Sequence, residues 1–576
     1  MASSAFNRLF PGHETENPDK VRMRATIGIN QEITGGYDEA LAVVCHNGTY
    51  VGQAEGTVRS WKGIPFAEAP VGKLRWKNPV AAAERGGVYE AKYYGKSPVQ
   101  TEWPSEVGSY YLQGEDCLTL NVWANAEGPA EGRTVMVFIH GGSYGWGACS
   151  DPIYDGHNLV EKYPDLVLVT IEYRTGIMGF IDFSEVPGGE DFATSGNLGL
   201  LDQVCALEWV RKNIAAFGGD RNNVTVFGES AGAGSVSLLP LMKGTGGLFK
   251  RVIAESGSLS LTSSREECRI LTRMLLENSG CSTMDELMAL SEEDLMKLNE
   301  DLNESNNFPE RDGVVLPFDL YGAWEDEALA EIDVMVGTNK DESRYWIHEM
   351  GYTYPAVPEY LTFKYTEPFM YENYLKRMTP EERKRVALFM KMQSGEKHWK
   401  ITEFIIEMLF RIPAMAQAAA HKGRSYTYYW TMPGADETIG ACHAIELAYV
   451  FDNPQVDIYT GGLYNEALGD AVQDMWVNFA RCGDPSTAEY VWEPYTAETR
   501  KTMVLGEEIG MTSDLKREQR ELLEPLLYHY FNGCYAHLDY MVPYTGRILA
   551  QLAGTFVLTV LGAGALVLAV RKLRGK

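Results

Sequence analysis

From Thr134 onward the chain alternates between unbroken apolar runs and segments with helical spacing. Thr134–Gly142 reads TVMVFIHGG, a short apolar run stopped by glycines, which predicts a buried strand entering a loop. Leu166–Arg174 (LVLVTIEYR) and Val224–Phe227 (VTVF) predict two more strands. Between them, Leu200–Phe217 places Leu200, Val204, Leu207 and Val210 on one face of a helix. Ala231–Met242, rich in small residues, reads as the start of another helix, and Ala471–Pro485 (AVQDMWVNFARCGDP) as an amphipathic one. Residues 265–310 and 378–420 are charged and helical in pattern. Strands interleaved with helices imply a mostly parallel central sheet covered on both faces, an α/β class. The first 40 residues are polar and predict an irregular lead-in. No internal repeat appears.

One segment breaks this pattern. Ile548–Val570 holds no charged residue and is followed by the basic tail Arg571–Lys576. At 1.5 Å per residue it would extend roughly 35 Å, enough for a bilayer core of about 30 Å. The expectation is a C-terminal transmembrane anchor at 548–570 with a basic tail at 571–576; a buried core helix is the competing reading. The N-terminus carries no apolar secretory core.

The composition narrows the classes of function. The formal charge is −28, which excludes a basic nucleic-acid footprint. Apolar residues make up 45% of the chain, enough for a large core. The nine cysteines are scattered, with no C-x-x-C pair and no zinc-type spacing. That suits reduced thiols and gives no metal site.

The chemistry starts at Val226–Ser235, VFGESAGAGS. A strand, then G-E-S-A-G, then a helix-forming run is the context in which G-x-S-x-G presents a serine on a sharp turn. Ser230 is therefore the candidate nucleophile; a plain small-residue turn is the alternative. A serine needs a base, and its tetrahedral intermediate needs hydrogen-bond donors. His140-Gly141-Gly142-Ser143-Tyr144, at the end of the first buried strand, is the natural source of backbone donors.

Longer stretches then match in order. Phe217–Gly232 (FGGDRNNVTVFGESAG), Glu115–Trp123 (EDCLTLNVW), Gly63–Trp76 (GIPFAEAPVGKLRW) and Gly196–Gln203 (GNLGLLDQ) together resemble the type-B carboxylesterase family, which includes the cholinesterases. The resemblance covers most of residues 50–535. It implies an α/β-hydrolase domain, here placed at 41–540, with a Ser–Glu–His triad and no metal or organic cofactor. Gly337-Thr338-Asn339-Lys340-Asp341-Glu342 matches the family's G-x-N-x-D-E motif and gives Glu342, not Asp341, as the acid. Gly440–Phe451 gives His443 as the base, while His348, His398 and His421 are expected at the surface. The oxyanion donors carried over are the N–H groups of Gly142, Ser143 and Ala231. Glu229 is a possible substrate-site or purely structural residue.

Some family features are missing. Cys117 has no cysteine in the preceding Tyr93–Asp116 stretch, and Cys281 lacks a convincing partner. The loop-closing disulfides of secreted relatives are therefore not expected, and Asn47-Gly48-Thr49 is not read as a glycosylation site. A reducing compartment follows, with the anchor holding a cytoplasm-facing catalytic domain. Val542–Gly546 before the apolar span leaves sortase-type surface attachment as the alternative. The expected activity is hydrolysis of uncharged carboxylic esters through an acyl-serine. Thioesterase or amidase chemistry on the same triad, or a non-catalytic binding module, are the alternatives. The partners are a small ester and the membrane; the oligomeric state stays open.

Overall fold

The structure, a computed structural model, describes residues 28–100, 112–302, 307–344, 371–372, 374–395, 397–435, 439–454 and 459–530. Its centre is one eleven-stranded sheet: β1 (Gln53–Glu55), β2 (Val58–Pro65), β3 (Thr119–Asn125), β4 (Arg133–Ile139), β5 (Leu166–Ile171), β6 (Gly219–Glu229), β7 (Arg251–Glu255), β8 (Asp333–Asn339), β9 (Ser425–Trp430), β10 (Lys501–Leu505) and β11 (Gly510–Ser513). The spatial order is β11-β10-β9-β8-β7-β6-β4-β5-β3-β2-β1.

The run from β10 to β5 is parallel throughout. Both edges are antiparallel: β11 on β10, and β3, β2 and β1 beyond β5. The sheet is thus mixed, where the strand–helix alternation alone predicts a mostly parallel one. The alternation starts only at Thr134. Before it, β1 and β2 form a hairpin closed by a short turn between Glu55 and Val58, which can link only antiparallel neighbours. β2 and β3 are joined by the long segment from Pro65 to Thr119 and pair antiparallel, with no crossover helix pattern to announce it.

Strand β4 shows why these runs are wholly apolar. Val135, Val137 and Ile139 face one core, with Val226 and Val252 from neighbouring strands. Met136 and Phe138 face the other, with Phe227 and Ile253. Helices α1 (Leu198–Asn213) and α2 (Ala231–Leu238) cover the first face. The second is covered by α3 (Glu466–Cys482), through Val472, Met475, Trp476 and Phe479. Alternation along each strand therefore feeds two separate cores.

Local signals set the helix ends. Asn465 caps α3, accepting from the N–H of Leu468, and Gly483 closes it in the left-handed region at φ 77°. Thr379 and Glu382 form a capping box on the helix Pro380–Met392. Helix α1 is buried more widely than its predicted stripe. Asp202, off that stripe, is fully buried and binds Arg174 at 2.7 and 2.8 Å.

Among the described residues, no helix is long and apolar enough to cross a membrane. The predicted span Ile548–Val570 and the basic tail lie outside the described residues, as does most of the predicted lead-in. All eight described cysteines, Cys117 and Cys281 included, are free thiols.

Candidate active site

The parallel strands end on one side of the sheet. β4 has β5 on one flank and β6 on the other, so the loops leaving β4 and β6 begin a crevice there. The loop after β6 is the G-E-S-A-G turn. Ser230 sits at φ 57°, ψ −119° between β6 and α2, a conformation that costs a non-glycine residue about 1–3 kcal/mol. Its surroundings hold it there. Its N–H donates to the Glu255 carbonyl of β7 at 2.8 Å, and its carbonyl accepts from Gly234 at 2.9 Å. The flanking glycines are required by space. A Cβ on Gly232 would lie 1.9 Å from the Ile139 carbonyl oxygen, and one on Gly228 would lie 2.6 Å from it. Ser230 remains half-exposed in a ring of buried residues, and Ala231 opens α2, where the N–H has no intrahelical acceptor.

The loop after β4 packs against this turn. A Cβ on Gly141 would meet Glu229 Oε2 at 2.8 Å and Ser230 Cβ at 3.0 Å. Gly142, Ser143 and Tyr144 have φ of 107°, 52° and 58°, so two side-chain-bearing residues are held in the left-handed region. The Gly142 carbonyl accepts from Gly145 and Trp146 at 2.9 and 3.0 Å. Behind the loop, His140 donates from Nδ1 to the Gly141 carbonyl (2.8 Å), and its Nε2 lies 2.8 Å from Glu172 Oε1.

Glu342 and His443 come from loops after β8 and β9. His443 Nδ1 lies 2.6 Å from Glu342 Oε2, and Glu342 Oε1 accepts from the N–H of Asn339 at 2.6 Å. Asp341 points elsewhere: it accepts from the N–H of Ala441 at 3.0 Å and pairs with Arg344. The other ring nitrogen of His443, Nε2, lies 3.0 Å from Glu229 Oε1. Ser230 joins this group as the next residue after Glu229. The Phe410 ring, on a π-helical turn at Glu407–Arg411, lies 5.1 Å from the His443 ring.

The site is buried and rich in carboxyls. Burial alone would push His443 down, but the carboxylates of Glu229 and Glu342 outweigh it and hold the imidazole well above its ordinary value. Burial pushes Glu229 up, with the His443 charge pulling part of the way back. Two further buried acids lie behind. Glu446 is pushed up to about 8 by burial, with Glu229 and Glu342 adding to the shift. Glu255 is held well above the carboxylate range by burial and by Glu446.

Of the histidines read as surface residues, His421 is buried. It donates from Nε2 to the Ile332 carbonyl at 2.7 Å and lies beside Trp324. The loop entering β8 needs a donor at that point, and the charged local sequence hides this. His348 and the side chain of His398 lie outside what the structure describes. Sequence reading passed over Glu446, although it stands one turn after His443, and over Asn339, although it lies inside the quoted motif. Among the described residues, no cluster of His, Cys, Asp and Glu could hold a metal ion.

A large mixed sheet flanked by helices, with a serine on a strained strand-to-helix turn, defines an α/β-hydrolase-like esterase. The carboxylesterase family profile matches residues 41–523, and the chain belongs to that family. It is 35% identical to the para-nitrobenzyl esterase of Bacillus subtilis (strain 168) over 518 residues, covering 84% of this chain and 98% of that protein. It is 30% identical to the cholinesterase of Mus musculus, covering 79% and 80% of the two chains. Among solved structures, a Geobacillus stearothermophilus carboxylesterase superposes with a TM-score of 0.74 at 31% identity, over 84% of this chain and 99% of that one. A PNB esterase superposes at 0.70 and 32%, with the same coverage. The protein is a serine hydrolase of the carboxylic ester kind.

Proposed function

We propose that Ser230, Glu342 and His443 form the catalytic triad, and that Gly142, Ser143 and Ala231 supply the oxyanion donors. The observation that carries this reading is His443 held on Glu342 at 2.6 Å beside the turn that presents Ser230. His443 takes the proton of Ser230 as its Oγ attacks the ester carbonyl, then passes it to the departing alcohol. Glu342 keeps the ring oriented and stabilises its charged form. Water then attacks the acyl-serine with His443 again as base. The backbone N–H groups face the oxygen where negative charge develops.

The substrates we assign are uncharged carboxylic esters. Glu229, a buried carboxyl directly before the reacting serine, biases the site against an anionic acyl group at close range. The names of the relatives, para-nitrobenzyl esterase and cholinesterase, fit an uncharged or cationic ester.

We place the hydrolase domain at 41–540 and a single-pass anchor at 548–570, with the catalytic domain on the cytoplasmic side. The support is the uncharged apolar span, its basic flank, and eight described cysteines left as thiols. Carbonate extraction of membranes, with a chain ending at residue 540 as control, tests the anchor. Sortase-dependent release on cell-wall digestion would overturn it.

Hydrolysis of p-nitrophenyl esters of increasing acyl length tests the activity, with Ser230→Ala beside the wild type. Turnover and fluorophosphonate labelling that vanish in Ser230→Ala are expected. A folded wild-type protein that is neither active nor labelled would sink the assignment.

A further inference from the structure

The two proposed donors on the β4 loop belong to two peptide units, and each is aimed by what its carbonyl does. In a trans peptide the C=O and N–H point in opposite directions, and no cis peptide occurs among the described residues. The Gly141 carbonyl is drawn back to His140 Nδ1, so the Gly142 N–H of the same unit points the other way. The Gly142 carbonyl is drawn into the turn by Gly145 and Trp146, so the Ser143 N–H points out of it. The second arrangement lasts only while the turn from Gly142 to Gly147 stays closed.

Gln100 closes it. Its Nε2 donates to the Gly147 carbonyl at 2.8 Å, and its Oε1 accepts from the Gly147 N–H at 2.8 Å. Gln100 is 5% exposed. Its own N–H donates to Gln113 Oε1 at 3.0 Å, and its Nε2 also reaches the Pro98 carbonyl at 3.2 Å. Both faces of the amide are thus used, which fixes its orientation. Gly147 is also the packing point of the loop. At φ 98°, a Cβ there would lie 2.7 Å from the Gly141 carbonyl oxygen and 2.8 Å from His140 Nδ1. A residue that moved Gly147 would move both peptide units together.

We propose that Gln100 is a positioning residue for ester hydrolysis: its side-chain amide clamps Gly147 and so fixes the Gly142 and Ser143 N–H groups for the oxyanion. This rests on the donor assignment above. The clamp acts on a charge that develops only in the transition state, so its loss appears in kcat and not in ground-state binding. A full oxyanion donor is worth about 10²–10³ in rate, and a loosened pair should lose roughly 10–100-fold by the same reasoning.

The test uses the full-length protein with p-nitrophenyl acetate, and Gln100→Met and Gln100→Glu beside the wild type. Fluorophosphonate titration counts the folded, competent sites, so a fraction that fails to fold does not enter kcat. It also checks the nucleophile separately, because an unlabelled wild type would sink the triad assignment and not the clamp. For Gln100→Met the expected result is a 10–100-fold fall in kcat per labelled site, KM within twofold, and a matching loss of affinity for an aryl trifluoromethyl ketone that adds to the serine. Gln100→Glu keeps the acceptor for the Gly147 N–H but sets a carboxylate against the Gly147 carbonyl. Its deficit relative to wild type should shrink as the pH is lowered and the carboxyl becomes a donor. A kcat per site within threefold of wild type for Gln100→Met, or an unchanged ketone affinity, overturns the proposal.

Discussion

Nε2 of His443 lies 3.0 Å from Oε1 of Glu229, the residue directly before the proposed nucleophile. Nδ1 faces Glu342, and both His443 and Glu229 are shifted upward from their ordinary values, so the imidazole holds its proton to higher pH than a free histidine. That proton has to leave before the imidazole can act as a base. The acid limb of kcat/KM should therefore fall above the ordinary histidine range. Glu229→Gln removes one of the charges that raise His443, so its acid limb should move to lower pH. A pH–rate profile of both proteins checks this; an unmoved limb would mean that Glu229 does not tune the base.

The two acids of the β8 loop should separate cleanly. Glu342→Gln takes the acceptor from His443 Nδ1, and kcat should fall roughly 10³–10⁴-fold with little change in KM. Asp341→Asn weakens the bond to the Ala441 N–H and the pair with Arg344. It should lower stability by about 1 kcal/mol and leave kcat within threefold. Steady-state kinetics beside thermal melts decide it. Equal kinetic losses in the two variants would show that the carboxylate on the histidine has no special role.

The turn at Ser230 tolerates no added carbon. Gly232→Ala would place a methyl 1.9 Å from the Ile139 carbonyl oxygen, which the rigid backbone of β4 cannot yield. Overpacking of this kind costs about 1–3 kcal/mol or more. The expected readouts are a lowered Tm and loss of fluorophosphonate labelling even in the fraction that stays folded. Normal labelling would refute the tight approach of α2 to β4.

Stability should carry the mark of Glu446. Its folded value of about 8 lies above the ordinary 4.5, so between these values the native state holds a proton that the unfolded chain has released. Stability from this group is present at low pH and falls as pH rises through that window. Glu446→Gln keeps the neutral form at every pH. The Tm of the variant relative to wild type should therefore climb between pH 5 and pH 8. A constant offset would show that Glu446 is not protonated in the fold.

Particular residues show what the sequence makes legible. The VTVF run, the paired glycines and the small-residue helix start are all local, so the strand–turn–helix around Ser230 reads directly from spacing. Glu342 and His443 became nameable only through longer motifs, since nothing local distinguishes Glu342 from Asp341 before their contacts are seen. The antiparallel pairs of β3 with β2 and β5 do not read from spacing, because their partners are brought together across long connections. Asp202 breaks the amphipathic pattern of α1 because Arg174 meets it inside the core, a tertiary event. Gln100 carries no motif, and its meaning comes only from facing Gly147, far along the chain.

The contact between Glu342 and His443 joins residues 101 positions apart, and both are made after the serine turn. Strand β9, which leads to His443, lies between β8 and β10, so the ring cannot be seated before that strand has been laid in. A chain emerging from the ribosome thus carries its serine turn and β4 loop long before it carries the proposed base, His443. On the proposed triad, the half-made protein lacks its base, and reactivity waits until β9 and the loop carrying His443 have been made and seated.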